Sequence, residues 1–171
     1  MKKMIFTSLI LLSALGQAES FIKIDCSKFE MSNVVGKETP SLPIVTAKQF
    51  YKPMRIKNFG GDLLSSEKFS VETWQICGNT LWLLTEKSGE HQWVVRDALA
   101  TPNYSKSESP LIEREHCEEN GKKVKDVVAI VKVSEGSQLH PLKAWRADTV
   151  KKKFESVQSA TLKCPNSLGE E

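Results

Sequence analysis

The sequence lacks the short signatures that usually announce a catalytic or metal centre. It has no C-x-x-C, no H-E-x-x-H, no G-x-S-x-G, and neither a glycine-rich phosphate loop nor a dinucleotide fingerprint. Only three histidines occur, His91, His116 and His140, and none stands at a ligand or nucleophile spacing. No cofactor and no metal is therefore expected, and no catalytic residue is assigned. Charge of one sign is also scarce. Without residues 1–18 the chain carries 22 basic against 21 acidic side chains. Nucleic-acid binding is excluded on that ground, because it needs a clear basic excess to displace phosphate counterions. No apolar run beyond the first 18 residues approaches the roughly 20 needed to span a bilayer.

The first 18 residues read as a secretory signal. Lys2 and Lys3 are the charged start, an apolar stretch runs from Met4 to Leu15, and Gly16-Gln17-Ala18 supplies small residues for cleavage near Ala18. The expected mature protein, residues 19–171, is a single domain in the periplasm or outside the cell, with no membrane span. Four cysteines remain, Cys26, Cys77, Cys117 and Cys164, and an even number in an oxidising compartment predicts two disulfides. Of the three pairings, Cys26 with Cys77 and Cys117 with Cys164 is preferred, because each bridge would tie a peripheral segment to an inner strand.

The fold expected is mainly β, one antiparallel domain built as a sandwich or open barrel, with an α+β arrangement as the alternative. Its N-terminal third is loop-rich. Residues 21–69 are interrupted by Pro40, Pro43, Pro53 and Gly60-Gly61, with one or two helical turns at 46–51. From residue 71 the pattern sharpens: strands at 71–76 and 80–85, a turn at 87–90, and a strand at 91–99. Leu81, Trp82, Leu83 and Leu84 are consecutive apolar residues, so that strand is expected to be covered on both faces.

Residues 100–110, with Pro102, Asn103 and Pro110, read as an exposed loop. Asn120-Gly121 predicts a hairpin turn between 111–119 and 122–133, with Glu119 opposite Lys122, Glu118 opposite Lys123 and Cys117 opposite Val124. A competing reading makes 110–119 a short helix opened by Ser109. Residues 127–131 are expected to form the most buried strand, 142–147 and 153–157 a last hairpin, and 160–164 a terminal strand.

Glu113, Glu115, His116, Glu118 and Glu119 form a dense run of oxygen and imidazole groups. In a continuous strand, however, Glu113 and His116 lie on opposite faces, so the cluster is read as solvated charge. Ser88 near His91 and Ser137 near His140 are the only local serine–histidine pairs. Both lie in turns and carry no triad logic by themselves.

The charge distribution is the more informative feature. Residues 105–121 carry five acids and two bases, whereas 122–153 carry nine bases and three acids. A binding face is predicted around Trp93, Arg96, Trp145, Arg146, Lys122, Lys123, Lys151 and Lys152. Tryptophan and arginine are favoured at interface anchors, and a lysine-rich edge steers acidic partners. The same lysines also shield exposed sheet edges. The expected function is that of a non-catalytic inhibitor, immunity or accessory protein that binds an envelope protein or an anionic glycan. The alternatives are a small-ligand carrier, its interior lined by Leu81, Leu83, Trp93, Val128 and Ile130, and a small hydrolase with an unrecognised site.

Overall fold

Consecutive apolar residues in a strand bury both of its faces, and two strands with that property organise this molecule. The structure is a computed structural model that describes residues 24–39, 56–114, 116–133 and 136–166. It is mainly β, with three antiparallel four-stranded sheets. The described helical segments are 3-10 turns of three residues, so the α+β alternative and the helix at 110–119 are both corrected. The proposed cleavage site and the helical turn at 46–51 lie outside the described residues.

Sheet A is a simple meander of β1 (Lys57–Leu63), β2 (Phe69–Ile76), β3 (Asn79–Lys87) and β4 (Trp93–Ala100). The first of these strands falls within the stretch expected to be irregular. It is exposed along most of its length and pairs only with β2, which explains why its sequence carries no apolar alternation. Sheet B orders β11 (Lys153–Val157), β10 (Pro141–Asp148), β8 (Val127–Lys132) and β5 (Glu108–Glu113). Sheet C orders β7 (Lys122–Val124), β6 (Cys117–Glu119), β12 (Leu162–Pro165) and β9 (Gln138–Leu139).

Three apolar cores separate four layers. Leu81 and Leu83 of β3 pack with Trp74, Ile76 and Val95 beneath the N-terminal segment, through Ile24 and Val34. Trp82 and Leu84, on the opposite face of the same strand, pack with Val128 and Ile130 of β8 between sheets A and B. Val127, Ala129 and Val131 of β8 face the other way, onto Cys117, Leu139, Leu162 and Cys164 of sheet C. The five residues named for a carrier interior therefore do not surround one cavity, since Leu81 and Leu83 belong to a different core from Val128 and Ile130.

The Asn120-Gly121 hairpin has the expected register, and both turn residues adopt positive φ, 52° and 75°. Its two arms are not continuous strands. One breaks between β5 and β6, the other between β7 and β8, and the ribbon bends from sheet B into sheet C. Asp126, at φ 58°, makes the bend, and its amide donates to the Arg114 carbonyl at 2.9 Å. Its carboxylate accepts from the amide and hydroxyl of Ser65, at 2.8 and 2.9 Å, and so holds the bend to sheet A.

The loop expected at 100–110 is shorter than predicted, because β5 begins at Glu108. Pro110 is tolerated there because β5 is an edge strand with a free side. Both disulfides form as preferred, Cys26 with Cys77 and Cys117 with Cys164. Such bridges fit an oxidising compartment. The first joins the N-terminal segment to sheet A and the second closes β6 onto β12, so neither crosses from sheet A to sheets B and C.

Candidate functional site

The turn after β10 is fixed by its first residue. The Asp148 carboxylate accepts from the amides of Val150 and Lys151 at 2.9 and 2.8 Å, and Lys152 completes the turn in the left-handed region at φ 55°. That conformation sends Lys152 toward sheet A, where its Nζ donates to Glu86 Oε2 at 2.8 Å. Glu86 continues the face of β3 that carries Trp82 and Leu84, and only 5% of its side chain is exposed. Lys68 Nζ lies 2.9 Å from its Oε1 and Arg96 Nε lies 2.7 Å from its Oε2.

Arg96 reaches this position through a bulge. Leu84 pairs with Asp97 and Thr85 with Val95, which leaves Arg96 as the extra residue of β4. Hydrogen bonds from Lys152 and Lys68, then the Arg96 guanidinium, hold the Glu86 carboxyl down at about 2 against the desolvation that opposes them.

A second cluster occupies the other flank of the same turn. Glu155 receives Lys151 at 2.7 Å, Arg146 at 3.5 Å and Lys153 at 3.7 Å, and Lys151 also lies 3.8 Å from Asp148. The Lys151 hydrogen bond lowers the Glu155 carboxyl and raises the Lys151 ammonium. Six cations thus pair with three carboxylates, Glu86, Glu155 and Asp148. With Asp97, which accepts from the Phe154 amide at 2.7 Å, counted as a fourth carboxylate against the six cations, two positive charges remain in surplus.

Four of the eight residues predicted for a binding face, Arg96, Arg146, Lys151 and Lys152, converge here. Trp145, next to Arg146 on β10 but on the opposite face of the strand, is half-buried in the core between sheets A and B, its ring edge-on to Trp82 with centroids 5.7 Å apart. Trp93 stands at the start of β4, opposite Lys87, with its carbonyl accepting from the Thr39 amide at 2.9 Å. Lys122 and Lys123 are elsewhere. Their hairpin tip bonds through the Asn120 amide to the Thr161 carbonyl, and Ser159 of the same short turn bonds Leu142, at the far end of β10 from Asp148. The two lysine groups therefore lie at opposite ends of β10.

The acids that organise the site, Glu86 and Glu155, and the third cation on Glu86, Lys68, were not singled out from sequence. Glu86 does carry one signal, a charged residue on the inward parity of an otherwise apolar strand.

β5 ends at Glu113 and β6 begins at Cys117, which corrects the separation of Glu113 from His116: His116 Nδ1 lies 3.0 Å from Glu113 Oε1. His116 and Ser137 line a cleft of about 190 Å³ with Glu118, Gln138 and Lys163, so the histidine that shares a cleft with Ser137 is His116. Among the described residues no three metal-ligating side chains gather. On sheet A, Glu72 accepts from Trp74 Nε1 at 2.8 Å, Thr85 Oγ1 at 3.2 Å and Ser70 Oγ at 3.4 Å. Burial outweighs these bonds and pushes the Glu72 carboxyl up. No described helix is long and apolar enough to cross a membrane.

Comparison with protein families, characterised proteins and solved structures finds no match to this chain.

Proposed function

We propose that this protein is a non-catalytic envelope component, exported to the periplasm or the cell exterior and processed near Ala18, that recognises an acidic protein through the surface around the β10–β11 turn. One observation carries the reading: six cations, two of them on a turn whose backbone is already fixed and four on the strands and loop beside it, are paired with Glu86, Glu155 and Asp148. Pre-ordered charge of this kind steers encounter with a partner and lowers the entropy lost on docking. The two disulfides are consistent with the assigned compartment.

The test is affinity capture from envelope extract with the mature, oxidised protein, at low and at moderate salt, read by mass spectrometry. A stoichiometric acidic partner, weakened by salt and by the double variant R146E/K153E, is the expected result. Capture of an anionic glycan in its place would move the assignment to that class, and an empty column at low salt would overturn it.

A further inference from the structure

Val150 stands at the tip of the basic turn with 89% of its surface exposed, the most exposed of the large apolar side chains among the described residues. Its position is not that of a loose loop residue. The Asp148 carboxylate holds the amides of Val150 and Lys151, Lys152 is tied to Glu86 on one flank, and Lys151 is tied to Glu155 on the other. The fold thus places four ion or hydrogen-bond contacts on a four-residue connection, residues 149–152, that belongs to none of its apolar cores. An apolar side chain held rigidly in water gains free energy when a partner covers it, and little ordering cost opposes that gain.

We propose that Val150 is the apolar anchor of this surface and that it inserts into a small apolar socket, bordered by carboxylates, on an acidic partner protein. This rests on the recognition function proposed above and names its point of contact. Charge complementarity selects the rim of the socket, since the four cations that flank the tip, Arg146, Lys151, Lys152 and Lys153, outnumber the carboxylates they pair with, Glu155, Glu86 and Asp148. A lipid surface is the less fitting occupant. Holding a protein on a bilayer takes an extensive apolar face or an acyl chain together with basic charge, and a single isopropyl group supplies neither. A protein socket, by contrast, uses one well-fitted side chain effectively, because the surrounding contacts exclude water from it.

The experiment compares capture of the same partner by the mature protein, by V150S, by K151E and by V133S. Val133 is a half-exposed control outside the turn. The expected result is a loss of about tenfold or more in affinity for V150S, seen mainly as faster dissociation, with V133S unchanged. Site-specific photocrosslinking from position 150 should then mark one segment of the partner. Retention of wild-type affinity by V150S, together with loss by K151E, would overturn the anchor and leave the recognition function standing. An empty column for the unaltered protein would remove both. Co-flotation of the protein with phosphatidylglycerol vesicles, abolished by V150S, would overturn the protein socket in favour of a membrane. Unchanged near-ultraviolet circular dichroism in each variant verifies that the fold is intact.

Discussion

Lys152 Nζ and Glu86 Oε2 are 2.8 Å apart although 66 positions separate the two residues in the chain. The contact joins the tip region of sheet B to the end of an inner strand of sheet A, and it depends on a backbone conformation that a lysine adopts only at a cost. Left-handed φ is unfavourable for a residue with a Cβ by roughly 1–2 kcal/mol. Here the charge-assisted bond to an almost buried carboxylate offsets it.

Two substitutions at position 152 separate strain from contact. Lys152→Ala loses the bond and keeps the strain, whereas Lys152→Gly loses the bond and relieves the strain. The glycine variant should exceed the alanine variant in stability by about 1 kcal/mol in urea unfolding. Equal stabilities would mean that the turn relaxes when the lysine is removed.

Glu86 and Glu72 should give stability profiles of opposite slope. Glu86 has a folded-state pKa of about 2, below its ordinary 4.5. Its contribution is therefore complete above about pH 4.5 and is lost as the pH falls through about 2. Glu86→Gln should destabilise the protein at pH 7, with the difference from wild type shrinking across that acidic window. Glu72 is displaced upward by burial. Its contribution is present below 4.5 and is lost as the pH rises through its elevated folded-state value, and Glu72→Gln should remove that decline. Denaturant titrations at a series of pH values test both signs.

Gly61 is required by close packing. A Cβ there would strike the backbone carbonyl of Val71 and lie 2.6 Å from Glu72 Cα, both in the paired strand β2. Gly61→Ala should displace β1 from sheet A and cost about 1–3 kcal/mol. Hydrogen exchange should show protection lost along β1 and retained in β3. Protection in β1 equal to wild type would contradict this account.

Trp145→Ala should act on stability before it acts on recognition. The side chain fills the core between sheets A and B against Trp82, and its removal should cost about 3 kcal/mol. A variant of unchanged stability that fails to capture partner would instead place the indole at the interface.

Elements whose determinants are local were legible in the sequence. The run Leu81 to Leu84 signals burial on both faces because alternate residues serve two different cores. Asn120-Gly121 specifies its turn through residues that tolerate positive φ, the even number of cysteines marked two bridges, and the expectation that each ties a peripheral segment to an inner strand led to the observed pairing. The bend between sheets B and C was not legible. It depends on Asp126, whose partner Ser65 is distant in the chain, and no periodicity records it. The ion cluster failed for the same reason. Lys68, Arg96 and Lys152 come from three separate segments, and Arg96 reaches Glu86 only through a bulge that disrupts the regular alternation of β4. Basic composition marked the surface, but the acids that shape it were hidden among apolar neighbours.

Each disulfide closes within its own half of the chain, and residues 101–107 are the backbone link between β4 and β5. A single proteolytic nick there would yield two cyclised fragments with no covalent bond between them. The apolar contact of Trp82 and Leu84 with Val128 and Ile130 would then act as a subunit interface, so separately produced halves should reconstitute the native molecule. By the same reasoning, two intact copies at high concentration can exchange halves and form a swapped dimer without breaking either disulfide.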